Sequence, residues 1–115
     1  EREYFKESEY HHKIDFRIGD ANELIPQISE PWDLVFIDAD KTNYLNYYEM
    51  VISSVKSGGY VIADNVLWSG KVVDHKMDDA DTVALRAFND FLSSDPRVEV
   101  ILLPIRDGLM LARKK

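Results

Sequence analysis

The fold of this chain is decided by the stretch Asp33-Leu-Val-Phe-Ile-Asp-Ala-Asp-Lys41. Residues 33–37 form an almost continuous apolar run with β-branched and aromatic side chains, which is typical of a strand that is covered on both faces. A second apolar run, residues 60–63, leads into Asp64-Asn65. Strands of this kind belong to the interior of a parallel sheet, so the two runs predict an α/β fold.

Hydrophobic periodicity and turn residues assign the remaining elements. Helices are predicted over residues 1–10, 21–29, 43–56 and 80–91, the third of them ending at Ser57-Gly58-Gly59. Further strands are predicted over residues 13–18, 98–103 and 108–112, and the last two are expected to form an antiparallel hairpin. Residues 65–78 have no period and are predicted to form a long loop, which in a compact domain is usually functional or mobile. The sequence therefore predicts a single domain over residues 1–115, with a mostly parallel sheet that closes in a hairpin.

The composition restricts the partners of the chain. Fourteen Lys and Arg face 21 Asp and Glu, for a formal net charge of −7, whereas a nucleic-acid partner would call for a clustered basic face. Cysteine is absent, so no disulfide or thiolate site is expected. No apolar run approaches the roughly 18–20 residues of a membrane helix, and residues 1–6 are charged where a signal peptide would be apolar. We therefore expect no nucleic-acid partner, no membrane partner and a cytoplasmic location.

Side chains that carry oxygen atoms able to bind a cation lie directly after three of the predicted strands. Asp20 follows the first strand, Asp38 the second, and Asp64-Asn65 the third. Ligands of such sheets bind outside the carboxyl ends of the strands. The oxygens of Asp38, Asp64 and Asn65 suit a hard cation such as Mg²⁺ or Ca²⁺, which a vicinal diol could also chelate. Lys41 could then accept the proton of a diol hydroxyl if the pKa of its amine is lowered.

A structural interpretation stands beside this chemical one. An Asp at a strand end often caps the helix that follows it, and a single lysine usually lies at the surface. The sequence leaves Trp68 open between packing and contact with a substrate or partner. The tyrosines of the third helix are interpreted as a partly buried face, and they are Tyr44, Tyr47 and Tyr48.

Three segments in this order resemble one family. They are Asp33-Leu-Val-Phe-Ile-Asp-Ala-Asp-Lys41, Gly59-Tyr-Val-Ile-Ala-Asp-Asn-Val-Leu-Trp-Ser-Gly70 and Arg106-Asp-Gly-Leu-Met-Leu-Ala-Arg113. Together they are similar to the cation-dependent O-methyltransferases that include caffeoyl-CoA and catechol O-methyltransferases, particularly the small bacterial members. The resemblance implies a Rossmann-like methyltransferase sheet, S-adenosylmethionine as cofactor, and methyl transfer to an aromatic vicinal diol of the catechol or caffeoyl type. It also implies a divalent metal, with Mg²⁺ expected first and Ca²⁺ or Mn²⁺ as alternatives.

The resemblance implies a role for each matching residue. The metal ligands are expected to be Asp38, Asp64 and Asn65. Lys41 matches the lysine regarded as general base. Cofactor contacts are expected from Asp20, Ala21, Asp38 and Asp40. Substrate contacts are expected from Trp68 and Ser69, in the loop that shapes the acceptor pocket. The plant enzymes carry Asn where this chain has Ser69, so a coenzyme A thioester substrate is not implied.

One part of the family pattern does not occur in this sequence. The family has an N-terminal half with a glycine-rich turn for the methionine end of the cofactor, and none of the five glycines here forms such a turn. The chain therefore resembles the C-terminal half of a methyltransferase domain, lacking the first strands. Open sheet edges would favour pairing with a second copy, so a homodimer is expected. A catalytically inactive module for binding or assembly is the alternative function, and a phosphate-accepting receiver domain is a weaker one.

Overall fold

Four strands form a mixed sheet in the computed structural model, which describes residues 2–115. The strands are β1 (Trp32–Ile37), β2 (Val55–Asp64), β3 (Val98–Leu103) and β4 (Leu109–Lys114). The helices are α1 (Arg2–Glu7), α2 (Ala21–Leu24), α3 (Tyr44–Ile52) and α4 (Ala80–Ser94). Short 3₁₀ turns cover His11–Lys13, Ile25–Gln27, Lys41–Asn43 and Trp68–Val73. Within the described residues, no helix is both long and apolar enough to cross a membrane.

The sheet has the order β1-β2-β4-β3. β1 pairs with β2 in parallel, and β4 runs antiparallel to both β2 and β3. Three strands therefore point in one direction, and only β4 is reversed. The predicted α/β class and the closing hairpin are confirmed, and α3 forms the crossover that a parallel pair such as β1 and β2 requires.

The core lies between one face of the sheet and the helices α3 and α4. On α4 the buried side chains recur at helical spacing, at Thr82, Leu85, Phe88 and Leu92. The Phe88 ring meets Tyr44 edge-on, with ring centroids 5.5 Å apart, and this contact joins the two helices. The helix α4 begins at Ala80 because the side chain of the preceding Asp79 accepts a hydrogen bond from the Thr82 backbone N–H.

The opposite face of the sheet carries apolar side chains that are exposed. Phe36, Ile62, Leu111 and Ile101 are direct neighbours across β1, β2, β4 and β3, so they share that face. Phe36 is 55% exposed and Ile101 is 59% exposed. Leu34 extends the same row along β1 and is 53% exposed. In an α/β sheet with helices on both faces, this row of side chains would be buried. Within residues 2–115, helices cover only the opposite face of the sheet.

Two predicted boundaries are wrong. Residues 13–18 were expected to be a strand, but Lys13 ends a 3₁₀ turn and residues 14–18 have no regular structure. No strand lies beside them within the described residues, and a strand needs a partner for its backbone groups. Ser57-Gly58-Gly59 was expected to end α3, but it belongs to β2. A Cβ added at Gly59 would lie 2.8 Å from the Asp33 carbonyl oxygen, so glycine is needed there for β1 to approach β2.

Other predictions are confirmed with shorter bounds. The first helix, predicted over 1–10, is α1, and Glu1 lies outside the described residues. Asp20 caps α2 by accepting a hydrogen bond from the Asn22 backbone N–H at 2.9 Å. The α-helical part ends at Leu24, and a 3₁₀ turn containing Pro26 follows it. Residues 65–78 form the predicted loop, with 3₁₀ structure at Trp68–Val73.

Asp95, just after α4, is a buried carboxylate that should make the stability depend on pH. Arg97 donates to it from Nη2 at 2.8 Å, and Tyr48 Oη donates at 2.8 Å. The hydrogen bonds from Arg97 hold the pKa of Asp95 well below its usual range, although burial opposes them. A carboxyl with a lowered folded-state pKa stabilises the fold above its unfolded pKa of about 4, and this contribution is lost as the pH falls below that value.

We therefore expect Asp95→Asn to lower the free energy of unfolding at pH 7 by about 2–3 kcal/mol, since a buried Tyr48 hydroxyl and the half-exposed Arg97 lose their charged acceptor. The variant should also lose less stability than the parent between pH 6 and pH 3. Urea unfolding at both pH values measures this. Asp90→Asn, a change of an exposed carboxylate in the last turns of α4, is the matched control. Equal losses in parent and Asp95→Asn would contradict the prediction.

Candidate active site

The parallel pairing of β1 and β2 brings the predicted acidic residues to one edge of the sheet. Ile37 is the last residue of β1, and its partner on β2 is Ala63. Asp38 and Asp64 each follow these partners by one residue, so both lie at the carboxyl ends of adjacent parallel strands. Asn65 continues from β2 at the same edge.

Lys41 lies at the centre of this edge and is only 8% exposed. Its Nζ donates to Tyr44 Oη at 2.6 Å, to Asn65 Oδ1 at 3.0 Å and to Asp38 Oδ1 at 3.4 Å. The surface interpretation of Lys41 is therefore wrong, because the 3₁₀ turn that follows β1 directs the amine into the cluster. We call Asp38, Lys41, Tyr44, Asp64 and Asn65 the strand-end cluster.

The pKa of Lys41 shifts in the direction opposite to the one that general-base chemistry requires. Burial acts to lower this pKa, but the hydrogen bond to Tyr44 and the charge of Asp38 outweigh burial, and the pKa is raised. Burial also raises the pKa of Tyr44, against the effect of Lys41, so the phenol stays neutral. In this arrangement Lys41 is an ammonium ion, and the condition of a lowered pKa is not met.

Tyr44 is a functional candidate that the sequence treated only as part of a helix face. Its hydroxyl is fully buried, accepts from Lys41 and donates to the Asp64 backbone carbonyl at 2.9 Å. Tyr44 thus ties the lysine to the end of β2. The sequence feature that indicates this contact is the position of Tyr44, three residues after Lys41 at the start of a helix. This spacing brings two side chains together.

The donor set at the strand ends fits a hard divalent cation in chemistry and in charge. Asp38 Oδ1 and Asn65 Oδ1 already flank one positive charge, the Lys41 ammonium. Asp64 Oδ1 accepts from the Asn65 backbone N–H at 2.6 Å. Within residues 2–115, no three histidine or acidic side chains gather into a metal-binding group. The candidate ligands are two carboxylates and one amide, the small number that Mg²⁺ typically takes from a protein.

Asp40 is held outside the strand-end cluster by hydrogen bonds from Tyr47 of α3 and from Asn43 of the 3₁₀ turn that precedes it. Tyr47 Oη donates to Asp40 Oδ1 at 2.6 Å, and the side-chain amide of Asn43 donates to Oδ2. The bonds from Tyr47 and Asn43 hold the pKa of Asp40 below its usual range, while the hydrogen bond with Asp40 raises the pKa of Tyr47 to about 12. Asp40 is therefore a fixed, ionised acceptor.

The predicted cofactor residues line two neighbouring clefts. Asp20, Ala21 and Asp40 line an open cleft of about 400 Å³. Asp38 lines a second cleft of about 220 Å³, which shares Ala21 and Tyr47 with the first. The capping interpretation holds for Asp20, whose carboxylate is used by α2, but the residue still borders the cleft.

The loop that begins at Asn65 has strained backbone at the candidate substrate residues. Asn65, Trp68 and Ser69 have φ angles of 60°, 49° and 54°, a region that non-glycine residues rarely adopt and that costs about 1–3 kcal/mol each. Lys41 Nζ lies 5.6 Å from the centre of the Trp68 ring. Ser69 is exposed, and its backbone N–H donates to Asp107 Oδ1 at 2.5 Å. Trp68 therefore borders the strand-end cluster, whereas the side chain of Ser69 has no hydrogen bond within the described residues.

The sheet order defines an α/β protein, and the strand-end cluster lies at the carboxyl edge of its strands, where ligands of such sheets bind. A family profile described as O-methyltransferase matches residues 1–115. Among curated relatives, caffeoyl-CoA O-methyltransferase 5 of Nicotiana tabacum is 40% identical over 116 residues, covering 90% of this chain and 48% of the relative. Caffeoyl-CoA O-methyltransferase 2 of Eucalyptus globulus is 41% identical over 116 residues, covering 90% of this chain and 47% of the relative.

Solved structures of methyltransferases also match this chain. The O-methyltransferase of Bacillus cereus, in complex with SAH, is 31% identical with a TM-score of 0.78, and the match covers 86% of this chain and 49% of that one. The SAH-bound methyltransferase PaMTH1 of Podospora anserina is 28% identical with a TM-score of 0.79, covering 99% of this chain and 54% of that one. The chain belongs to the O-methyltransferase family and not to the receiver domains. It spans about half the length of the curated relatives it matches.

Proposed function

We propose that this chain carries the metal, base and acceptor sites of an S-adenosylmethionine-dependent, divalent-metal-dependent O-methyltransferase that acts on an aromatic vicinal diol. The observation that carries the proposal is the buried Lys41 amine, which lies between the oxygens of Asp38 and Asn65 at the carboxyl edge of the sheet. A lysine beside carboxylate and amide oxygens could accept the proton of a substrate hydroxyl held at this edge, and a divalent cation bound there would make that hydroxyl more acidic.

Asp38, Asp64 and Asn65 would hold the metal through their side-chain oxygens. When bound, a divalent cation supplies positive charge that lowers the pKa of a coordinated hydroxyl and of a nearby amine. Lys41 would then give up its hydrogen bonds to Asp38 and Asn65, keep the one to Tyr44, and act from its neutral form. The Mg²⁺ preference over Ca²⁺ or Mn²⁺ rests on the small number of protein ligands.

The reaction is a displacement at the methyl carbon of S-adenosylmethionine. S-adenosylmethionine, when bound, would supply the methyl group: the diol oxygen would form the new C–O bond as the C–S bond breaks, and the sulfur would leave as the thioether of S-adenosylhomocysteine. Lys41 accepts the hydroxyl proton. Asp40, held by Tyr47 and Asn43, together with Asp20 and Ala21 would bind the cofactor in the clefts at the start of α2.

Trp68 supports an aromatic acceptor. Its indole Nε1 is buried and has no hydrogen-bond partner within residues 2–115. A buried N–H donor without a partner costs about 1–3 kcal/mol, so a substrate oxygen that accepts from it would gain affinity. The ring itself offers a flat apolar face beside Lys41. Ser69, exposed at the same turn, is proposed to border the acceptor.

Calorimetric titration tests the proposal. We expect saturable binding of Mg²⁺ by the chain, and binding of S-adenosylmethionine that is strengthened by Mg²⁺ and a catechol. Absence of saturable Mg²⁺ binding under conditions where the chain is folded would refute the metal-dependent assignment.

A second candidate function is a catalytically inactive module for binding or assembly. The exposed apolar row of the sheet favours it, because such a patch usually marks an interaction surface. Metal binding without cofactor binding in the same titration would select this function.

We also propose that the chain forms a homodimer, because β1 is an edge strand with exposed Leu34 and Phe36. Sedimentation velocity at micromolar concentration should give the mass of two chains. Leu34→Lys should shift the distribution to monomer, and Ile18→Lys, an exposed apolar residue outside the sheet, is the matched control. A stable monomer for the parent would contradict the proposal.

A further inference from the structure

We propose that Arg86 and Asn89 of α4 are positioning residues that hold the loop of residues 65–78 in the shape that sets Trp68 beside Lys41. We call residues 65–78 the acceptor loop, and its name rests on the proposed function. The two side chains are three residues apart on α4, so they project from the same side of the helix.

Arg86 binds the second half of the acceptor loop through backbone carbonyls. Its Nε donates to the Val72 carbonyl at 2.9 Å, Nη1 to the Met77 carbonyl at 2.8 Å, and Nη2 to the Lys71 carbonyl at 3.1 Å. Nη2 also donates to the Asp74 carbonyl. Within residues 2–115, Arg86 forms no ion pair, so its charge is compensated by these carbonyl dipoles.

Asn89 binds the first half of the same loop. Its Nδ2 donates to the Val66 carbonyl at 2.9 Å. The hairpin turn supports this end, because the Leu67 N–H donates to the Asp107 carbonyl at 3.0 Å and a Cβ at Gly108 would lie 2.5 Å from Leu67 Cγ. Trp68 therefore lies between two anchored ends, with Asn89 before it and Arg86 after it.

The chemistry of Arg86 suits this role in a way that lysine would not. A guanidinium has five N–H donors in a planar fork. Binding four backbone carbonyls that are spread between residues 71 and 77 requires several donors that point in different directions. A lysine keeps the charge but has three donors on one nitrogen. Anchoring is needed because strained residues such as Trp68 and Ser69 keep their φ angles only where the surroundings determine them.

The experiment uses a Trp32→Phe parent, in which Trp68 is the remaining one of the two tryptophans. Arg86→Met is compared with Arg86→Lys, and Arg113→Met on β4 is the control for loss of an arginine. Acrylamide quenching of Trp68 fluorescence reports the loop, and trypsin cleavage after Lys71 and Lys76, located by mass spectrometry, reports its opening. Cleavage after Lys56 in β2 reports unfolding of the whole domain.

We expect Arg86→Met to raise cleavage in the acceptor loop about tenfold or more, as several hydrogen bonds that oppose local opening are lost. Trp68 quenching should rise with it, and cleavage after Lys56 should not change. Arg86→Lys should lie between the parent and Arg86→Met, and Arg113→Met should match the parent. Asn89→Ala should raise quenching of Trp68 with a smaller effect on Lys76.

Parental quenching and parental loop cleavage in Arg86→Met would overturn the proposal. If Arg86→Met does not fold, Arg86→Lys decides: loop cleavage and quenching equal to the parent's would overturn the proposal, and a rise in both without cleavage after Lys56 would support it. Neither readout involves metal, S-adenosylmethionine or methyl transfer. The positioning role can therefore be refuted while the proposed function is supported, and the proposed function can be refuted while the positioning role is supported.

Discussion

Asp64→Ala is expected to abolish saturable Mg²⁺ binding, with a loss of affinity of about 100-fold or more, because even residues that only support a ligand usually contribute 10–100-fold. Asp64 is one of only two carboxylates in the proposed ligand set, and it ends β2 beside Asp38. Removing it leaves one carboxylate and the Asn65 amide. Isothermal titration of parent and variant measures the change.

Asp33→Ala is the matched control for this change. Asp33 lies at the other end of β1, where its side chain is 82% exposed and pairs with Lys56. Its loss changes the net charge by the same amount at a distance from the strand-end cluster. An Mg²⁺ isotherm of Asp64→Ala that overlays the parent would remove Asp64 from the ligand set, and equal losses in both variants would show a general effect of charge.

Lys41→Met should separate metal binding from methyl transfer. In a preparation that shows methyl transfer, we expect the turnover number to fall by about 10²–10⁴-fold, the usual contribution of a general base. Mg²⁺ affinity should stay the same or rise, because the Lys41 ammonium no longer donates to Asp38 and Asn65. The turnover number should fall more than substrate binding weakens.

Lys56→Met, a change of a half-exposed lysine paired with Asp33, controls for loss of a lysine. Turnover of Lys41→Met within a factor of a few of the parent would exclude Lys41 as the base. A fall in Mg²⁺ affinity would instead indicate that Lys41 supports the ligands, for example by keeping Tyr44 in place. Comparing the urea unfolding of both variants with the parent separates these effects from loss of fold.

The strand ends could be predicted from sequence because two buried apolar runs, each followed by polar residues, leave little choice of geometry. The carboxyl ends of parallel neighbours meet at one edge, and this places Asp38 beside Asp64 without knowledge of distances. The family resemblance then assigned roles that periodicity alone left open. Its O-methyltransferase assignment is confirmed, and the roles of the individual residues stay predictions.

Other features could not be predicted because they depend on partners distant in sequence. Residues 13–18 alternate like a strand, but alternation does not provide a neighbour to pair with. The raised pKa of Lys41 was missed for a different reason: Tyr44 and Asp38 each lie three residues from it, but the sequence does not show that the turn after β1 directs all three side chains toward one another. Arg86 gives no signal in the sequence, because backbone carbonyls are the same at every residue.

The place of β4 in the sheet has a consequence for how the chain folds. β4 (Leu109–Lys114) follows β3 in the sequence, yet it lies between β2 and β3 in the sheet. When synthesis has reached Leu103, β3 has no strand to pair with, and β2 exposes one edge. The sheet can join its two halves only once β4 is available to pair, so β3 depends for its backbone partners on a strand that follows it in the sequence.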